Sequence, residues 1–138
     1  MLNLALAAVL LVAIAGIVFG VRYMRREAFL PYHAAVAGTP WAELDSGVQV
    51  VILGMLKIIG GGFTTFGVTL LWLSFALRDG ARWAPWAILT ISAAALGPML
   101  YVALKLRAFR PDAPTPVRPT VAMMVLIVVG VGLSILAQ

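Results

Sequence analysis

Few groups in these 138 residues could do chemistry inside a membrane, and most of them fall in one stretch, "GMLKIIGGGFTTFG", Gly54 to Gly67. Lys57 stands there in an otherwise apolar run, followed by Gly60, Gly61, Gly62, Thr64 and Thr65. An ionisable group at the centre of a spanning helix costs on the order of 2.5–3.5 kcal/mol, so such a lysine needs a purpose. One purpose is a ligand. Lys57, Gly61, Thr64 and Thr65 are then the candidate residues of an intramembrane site, and its solute would be anionic. The other purpose is structural: a lysine about ten residues into its helix can snorkel to the surface, or pair with a carboxylate of the preceding loop. At 100° per residue Val50, Gly54, Lys57, Gly61, Thr64 and Val68 share one face, and this small, polar stripe is expected to look into the protein.

A second set of candidates is interfacial: Tyr32, His33, Trp41 and Glu43. His33 is the only histidine, so it cannot supply two axial ligands to a haem, and a metal site would need Glu27, Glu43 and Asp45 to complete it. The simpler reading is a polar tip at the membrane surface, with room for contact with a quinone or a lipid headgroup. No metal and no cofactor are expected. The chain has no cysteine, which removes thiolate nucleophiles, disulfides and cysteine-rich metal sites. No nucleophile–base pair, phosphate loop or metal-binding helix motif is present either, so no catalytic residue is assigned and the expectation is a protein that is not an enzyme. The spans carry no carboxylate, which argues against a proton-coupled exporter built like the small-multidrug-resistance proteins.

The three consecutive glycines allow two structures. They can let a neighbouring helix approach closely, as Gly16 and Gly20 can in the first apolar segment and Gly130 and Ser134 in the last. They can also break the helix and expose backbone groups to an ion. Packing demands less of the chain, and it leaves the threonine hydroxyls to their own helix carbonyls. Six residues, "GGFTTF" from Gly61 to Phe66, resemble the glycine-threonine-phenylalanine signature of the fluoride-channel family. That resemblance implies a helix break lined by phenylalanines in a small four-span dimer. The chain departs from the pattern at Gly67 and Val68, where the family has Ser and Thr. The segment also lies in the second span rather than the third, and the only asparagine, Asn3, cannot stand for the family's pore asparagine.

The elements that would position these residues follow from composition. The chain is 63% hydrophobic and 11% charged, which excludes ordinary soluble and disordered classes. A hydrocarbon core about 30 Å thick needs about 20 apolar residues of helix. Residues 2–21, 47–77, 85–106 and 121–137 meet or approach that length, so the expectation is an all-α, integral membrane four-helix bundle forming one domain over 1–138, with no room for a soluble domain. No internal repeat relates the first two spans to the last two. The first segment is expected to be a retained span rather than a leader, because its basic residues follow it instead of preceding it.

Loop 1 (Arg22–Ser46) and loop 3 (Lys105–Thr120) hold seven of the ten basic residues, which places both in the cytoplasm and both termini outside. The net charge of +5 thus flanks the spans, and no nucleic-acid partner is expected. Within loop 1, the first helix is expected to run on through "VRYMRREAF" and to stop before Pro31. "YHAAVAG" should form a short turn, Thr39 should cap a helix beginning at Pro40, and Ser46 with Gln49 has the spacing of a capping box. These short pieces would lie along the membrane surface, anchored by Tyr23, Tyr32 and Trp41. Loop 3, with four prolines in "RPDAPTPVRP", should be a stiff connector, Gly97 and Pro98 should kink the third span, and Trp83 and Trp86 should form part of an aromatic belt.

Three functions remain open. The least demanding is a non-catalytic bundle that self-associates as a homo-oligomer or serves as an accessory subunit of a membrane complex. The second is binding or permeation of a small anion around Lys57. The third is binding of a lipid, quinone or haem at the cytoplasmic surface near His33. The expected surroundings are the lipid bilayer of a cell membrane, with a bacterial inner membrane as the setting.

Overall fold

A computed structural model describes residues 1–137, and the described chain is helical with no strand. Four helices are long and apolar enough to cross a membrane: α1 (Leu2–Met24), α3 (Ser46–Arg78), α4 (Ala84–Phe109) and α5 (Val117–Ile135). A short helix, α2 (Pro31–Ala37), and a single 3-10 turn, Trp41–Glu43, lie between α1 and α3. The four spans are those expected, with ends displaced by a few residues. Loop 3 shrinks to 110–116, because α4 continues to Phe109 and α5 begins at Val117, taking Pro119 into its first turn, where a missing amide costs nothing.

Several sequence expectations about helix ends are corrected. α1 stops at Met24 instead of continuing through Phe29. The carbonyl of its last residue, Met24, and that of Arg26 just beyond it accept hydrogen bonds from the Lys57 ammonium, which gives the helix a terminus without a glycine cap. α3 is capped by Asp45 rather than Ser46: the carboxylate accepts from Gly47 N at 2.8 Å and Val48 N at 3.4 Å. Gln49 does not complete a capping box, because its amide nitrogen donates to the Trp41 carbonyl at 2.8 Å. Thr39 caps nothing. Pro40 is extended at ψ 147° and only one 3-10 turn follows it. "PYHAAVA" does form a helical piece, ended by Gly38 in the left-handed region at φ 68°.

α1 and α3 pack along most of their lengths, and the contact is made by backbone. A methyl group on Gly60 would sit 2.7 Å from the Gly20 carbonyl oxygen, and one on Gly67 would sit 2.8 Å from the Ile17 amide nitrogen. Gly16 meets the same surface, 3.3 Å from the Phe63 carbonyl oxygen by the same measure. In hydrocarbon no hydrophobic force drives helices together, so close dispersion contact between small residues carries the association. α5 joins the other side of α1, where Gly130 faces Ala5, Ala8 and Val9, and α4 packs on α5 and on α3. The shared core is Val9, Val12, Leu70, Leu77, Ile88, Leu96 and Ile127.

The expected inward stripe on α3 is therefore displaced. Leu56, Gly60, Phe66, Gly67, Leu70, Ser74 and Leu77 are buried, whereas Val50, Gly54 and Val68 are exposed. The reason is steric: the face that permits backbone contact with Gly16 and Gly20 is the one through Gly60 and Gly67, and it fixes the rotation of the helix. α3 also runs unbroken through Gly60–Gly62, so the helix break implied by the fluoride-channel resemblance does not occur. α4 likewise continues as one helix through Gly97 and Pro98.

These glycines differ sharply in what they tolerate. Gly60→Ala is expected to lower the stability of the detergent-solubilised protein by about 1–3 kcal/mol through overpacking. Gly61→Ala has nothing within 4 Å of the new methyl group and should be neutral or slightly stabilising through helix propensity. Thermal unfolding followed by circular dichroism checks the contrast, and equal effects would contradict the packing described.

Candidate functional site

Lys57, Gly61, Thr64 and Thr65 are not brought together around a space. Lys57 projects back toward the start of its own helix, where its ammonium donates to the carbonyl oxygens of Met24 and, at 3.1 Å, Arg26. Its partners are the carbonyls at the end of α1, so its role is structural, through backbone carbonyls instead of the carboxylate considered from sequence. Thr64 lies against Gly20 and its hydroxyl donates to Gly60 O at 2.9 Å, the local bond expected of a helical threonine. Thr65 is exposed, and its carbonyl accepts from the Thr69 hydroxyl at 2.8 Å. Gly61 has no neighbour that a side chain there would meet.

The interfacial set is partly assembled. α2 folds back onto the start of α3 and the end of α1: Leu30 and Tyr23 are buried with Leu56, and Tyr32 packs against them. The Tyr23 and Tyr32 hydroxyls lie 2.6 Å apart and share one hydrogen bond. Burial first, then the hydrogen bond and electrostatic coupling to the Tyr23 phenol, push the Tyr32 phenol far above its ordinary pKa, so it stays protonated. His33 stands edge-on to Tyr32, with ring centres 4.1 Å apart. Burial lowers its pKa from the ordinary value, which favours the neutral ring. Phe29 bridges His33 and Trp41, at 6.2 and 5.0 Å between ring centres. Glu43 is exposed. Among the described residues no three histidine or acidic side chains gather, so His33, Glu27, Glu43 and Asp45 do not form the metal cluster weighed from sequence.

Tyr32 and His33 lie at the end of a cavity of about 400 Å³ between α3 and α4, a size suited to a small organic ligand. Phe63 and Phe66 of α3 form one wall, and Pro98, Met99, Val102 and Leu106 of α4 the other. Tyr23 closes the α1 side, its ring 5.9 Å from that of Phe63. Ile59 and Val102 line the cavity yet remain 44% and 52% exposed, so the space opens sideways between the two helices. Gly62 lines it too, with no atom near enough to meet a side chain there. Among the described residues the only polar lining side chains are Tyr23, Tyr32 and His33.

Sequence reasoning reached Tyr32 and His33 but missed the two walls. The available signal was the i, i+3 pair Phe63 and Phe66 beside Gly62, together with Pro98 in α4. The small-residue faces noted from sequence are used within the chain: Gly16 and Gly20 against α3, and Gly130 against α1, with Ser134 buried and donating to Val131 O at 2.7 Å.

Lys57→Met should release the end of α1, costing about 1–2 kcal/mol by leaving two carbonyls without their charged donor. The expected result is a lower unfolding temperature and faster tryptic cleavage after Arg25 and Arg26. Unchanged values of both would contradict the capping role. No protein-family model matches the chain, and neither a curated protein nor a solved structure matches it significantly.

Proposed function

We propose that this chain is a non-catalytic, multi-pass membrane protein that binds one amphiphilic small molecule in the cavity between α3 and α4. The observation that carries the reading is the cavity itself: apolar walls, one cluster of polar tips and an opening toward the surroundings of the helices. Such a space, about 400 Å³ with few convergent polar groups, is the usual form of a small-molecule site. In a bilayer the exposed Ile59 and Val102 would face acyl chains, so a ligand would enter laterally from the membrane.

The arrangement fits a four-helix bundle with both termini outside and loops 1 and 3 in the cytoplasm, because the basic residues concentrate in those loops. Tyr32 and His33 then mark the cytoplasmic end of the site, and the ligand's head would lie near that interface. A cell membrane, such as the inner membrane of a bacterium, is the setting this charge distribution suits. The anion reading lacks support of this kind, since the Lys57 ammonium is engaged by backbone carbonyls. The self-association and accessory-subunit readings drew on the small size, the lack of catalytic groups and glycine faces, and of these the glycine faces serve contacts inside one chain.

A photoreactive fatty alcohol incorporated with the protein into nanodiscs tests the proposal. Adducts mapped by peptide mass spectrometry should concentrate on Phe63, Met99 and Leu106. Gly62→Leu, which extends a side chain into open space, should remove them while leaving the unfolding temperature unchanged. Uniform labelling of the outward-facing residues in both proteins would overturn the reading. In the same membranes a cysteine replacing Asp112, in a chain that has none of its own, should be modified only from the cytoplasmic face.

A further inference from the structure

The polar end of the cavity restricts what kind of head it can receive. Among the described residues no lysine, arginine or carboxylate lines it. A phosphate or carboxylate buried there would have no counter-charge, and an ammonium would have none either, so a charged head is disfavoured. What the site does hold are neutral donors. Two tyrosine hydroxyls bring two protons; one is used in their mutual bond at 2.6 Å, and the other is free to be donated outward. The His33 ring, half-buried and kept neutral by burial, carries one N–H and makes no hydrogen bond with the described residues. These donors suit a head that accepts hydrogen bonds without carrying charge.

The walls restrict its shape. Phe63, Tyr23, Tyr32 and His33 gather ring systems toward the polar end and Phe66 extends the aromatic wall along α3, whereas the facing wall on α4 is aliphatic, with Pro98, Met99 and Val102. Aromatic faces and edges favour a flat partner that can stack or meet them edge-on. The lateral opening beside Ile59 and Val102 lets an apolar chain leave the cavity for the hydrocarbon.

Resting on the amphiphile reading of this cavity, we propose that its ligand is a prenylated quinone, with the ring against Phe63 and Phe66 and a ring carbonyl accepting from Tyr32 and His33. The proposal concerns binding alone and includes no electron or proton transfer. A phospholipid ester shares the carbonyl chemistry but lacks the flat ring and brings a charged phosphate that the site does not match.

The test uses the photoreactive fatty alcohol in nanodiscs and three competitors: a short-chain prenylated benzoquinone, the same prenyl chain as a simple alcohol, and a short-chain phosphatidylglycerol. The quinone is expected to suppress the cavity adducts at about a tenfold lower mole fraction than the prenyl alcohol, the worth of one to two added hydrogen bonds. In the double variant Tyr32→Phe, His33→Leu that advantage should disappear while the adducts themselves persist, which shows that the fold and the apolar cavity survive. Equal competition by quinone and prenyl alcohol in the unmutated protein would overturn the quinone assignment and leave amphiphile binding standing. So would stronger competition by phosphatidylglycerol. Absence of cavity adducts before any competitor is added would overturn both readings together.

Discussion

The structure depends on one steric constraint, the backbone contact between α1 and α3 at Gly20 with Gly60 and Gly16 with Gly67. Inside a bilayer the apolar side chains gain nothing by leaving lipid for protein, so a helix pair holds only where its surfaces meet closely enough for dispersion to accumulate. Gly60 and Gly67 lie two turns apart on α3, and a methyl group at either would meet α1 within 3 Å. Gly54 and Gly61 have the same spacing on another face of α3, but it is Gly60 and Gly67 that meet α1, and this contact sets which faces of α3 remain for the rest of the protein.

From that rotation the other features follow. With Gly60 turned to α1, Gly62, Phe63 and Phe66 border the space in front of α4, and Lys57 comes within reach of the α1 terminus. α4 approaches α3 less closely than α1 does, because its facing residues are Met99, Val102 and Leu106 rather than glycines. The gap that remains is the cavity. α2 covers its end through the Tyr23–Tyr32 hydrogen bond and the burial of Leu30, so the polar tips of loop 1 and the aromatic wall of α3 come to share one space. Lys57 contributes indirectly. It holds the Met24 and Arg26 carbonyls where α1 ends and the chain turns toward α2.

Much of the fold was legible from the chain. Four apolar runs gave four spans, and Gly38 marked the end of the α2 segment, whereas Pro31, expected to stop the first helix, instead begins α2. Helix termini were less legible, because neighbouring residues compete for the same role: Asp45 and Ser46 are both good caps, and only the structure shows the carboxylate reaching the free amides. The α1 end was invisible, since its cap is a lysine 33 residues away. Of the site, Tyr32 and His33 could be named from their types and their place beside Pro31. The walls could not, because Phe63, Met99 and Val102 are ordinary residues of a membrane helix until two helices are placed side by side. Periodicity alone also misassigned the inward face of α3, for two stripes carry glycines at the same spacing, Gly54 with Gly61 and Gly60 with Gly67, and only the packed helices show that the second meets α1.

The central claim is that this packing leaves a cavity filled by one amphiphile within a single chain. Native mass spectrometry of the protein released from native membranes in mild detergent tests it most directly. The account predicts a single chain carrying one small-molecule increment that survives gentle activation and dissociates as a neutral species. A chain observed only bare, or only as oligomers without any increment, would contradict it.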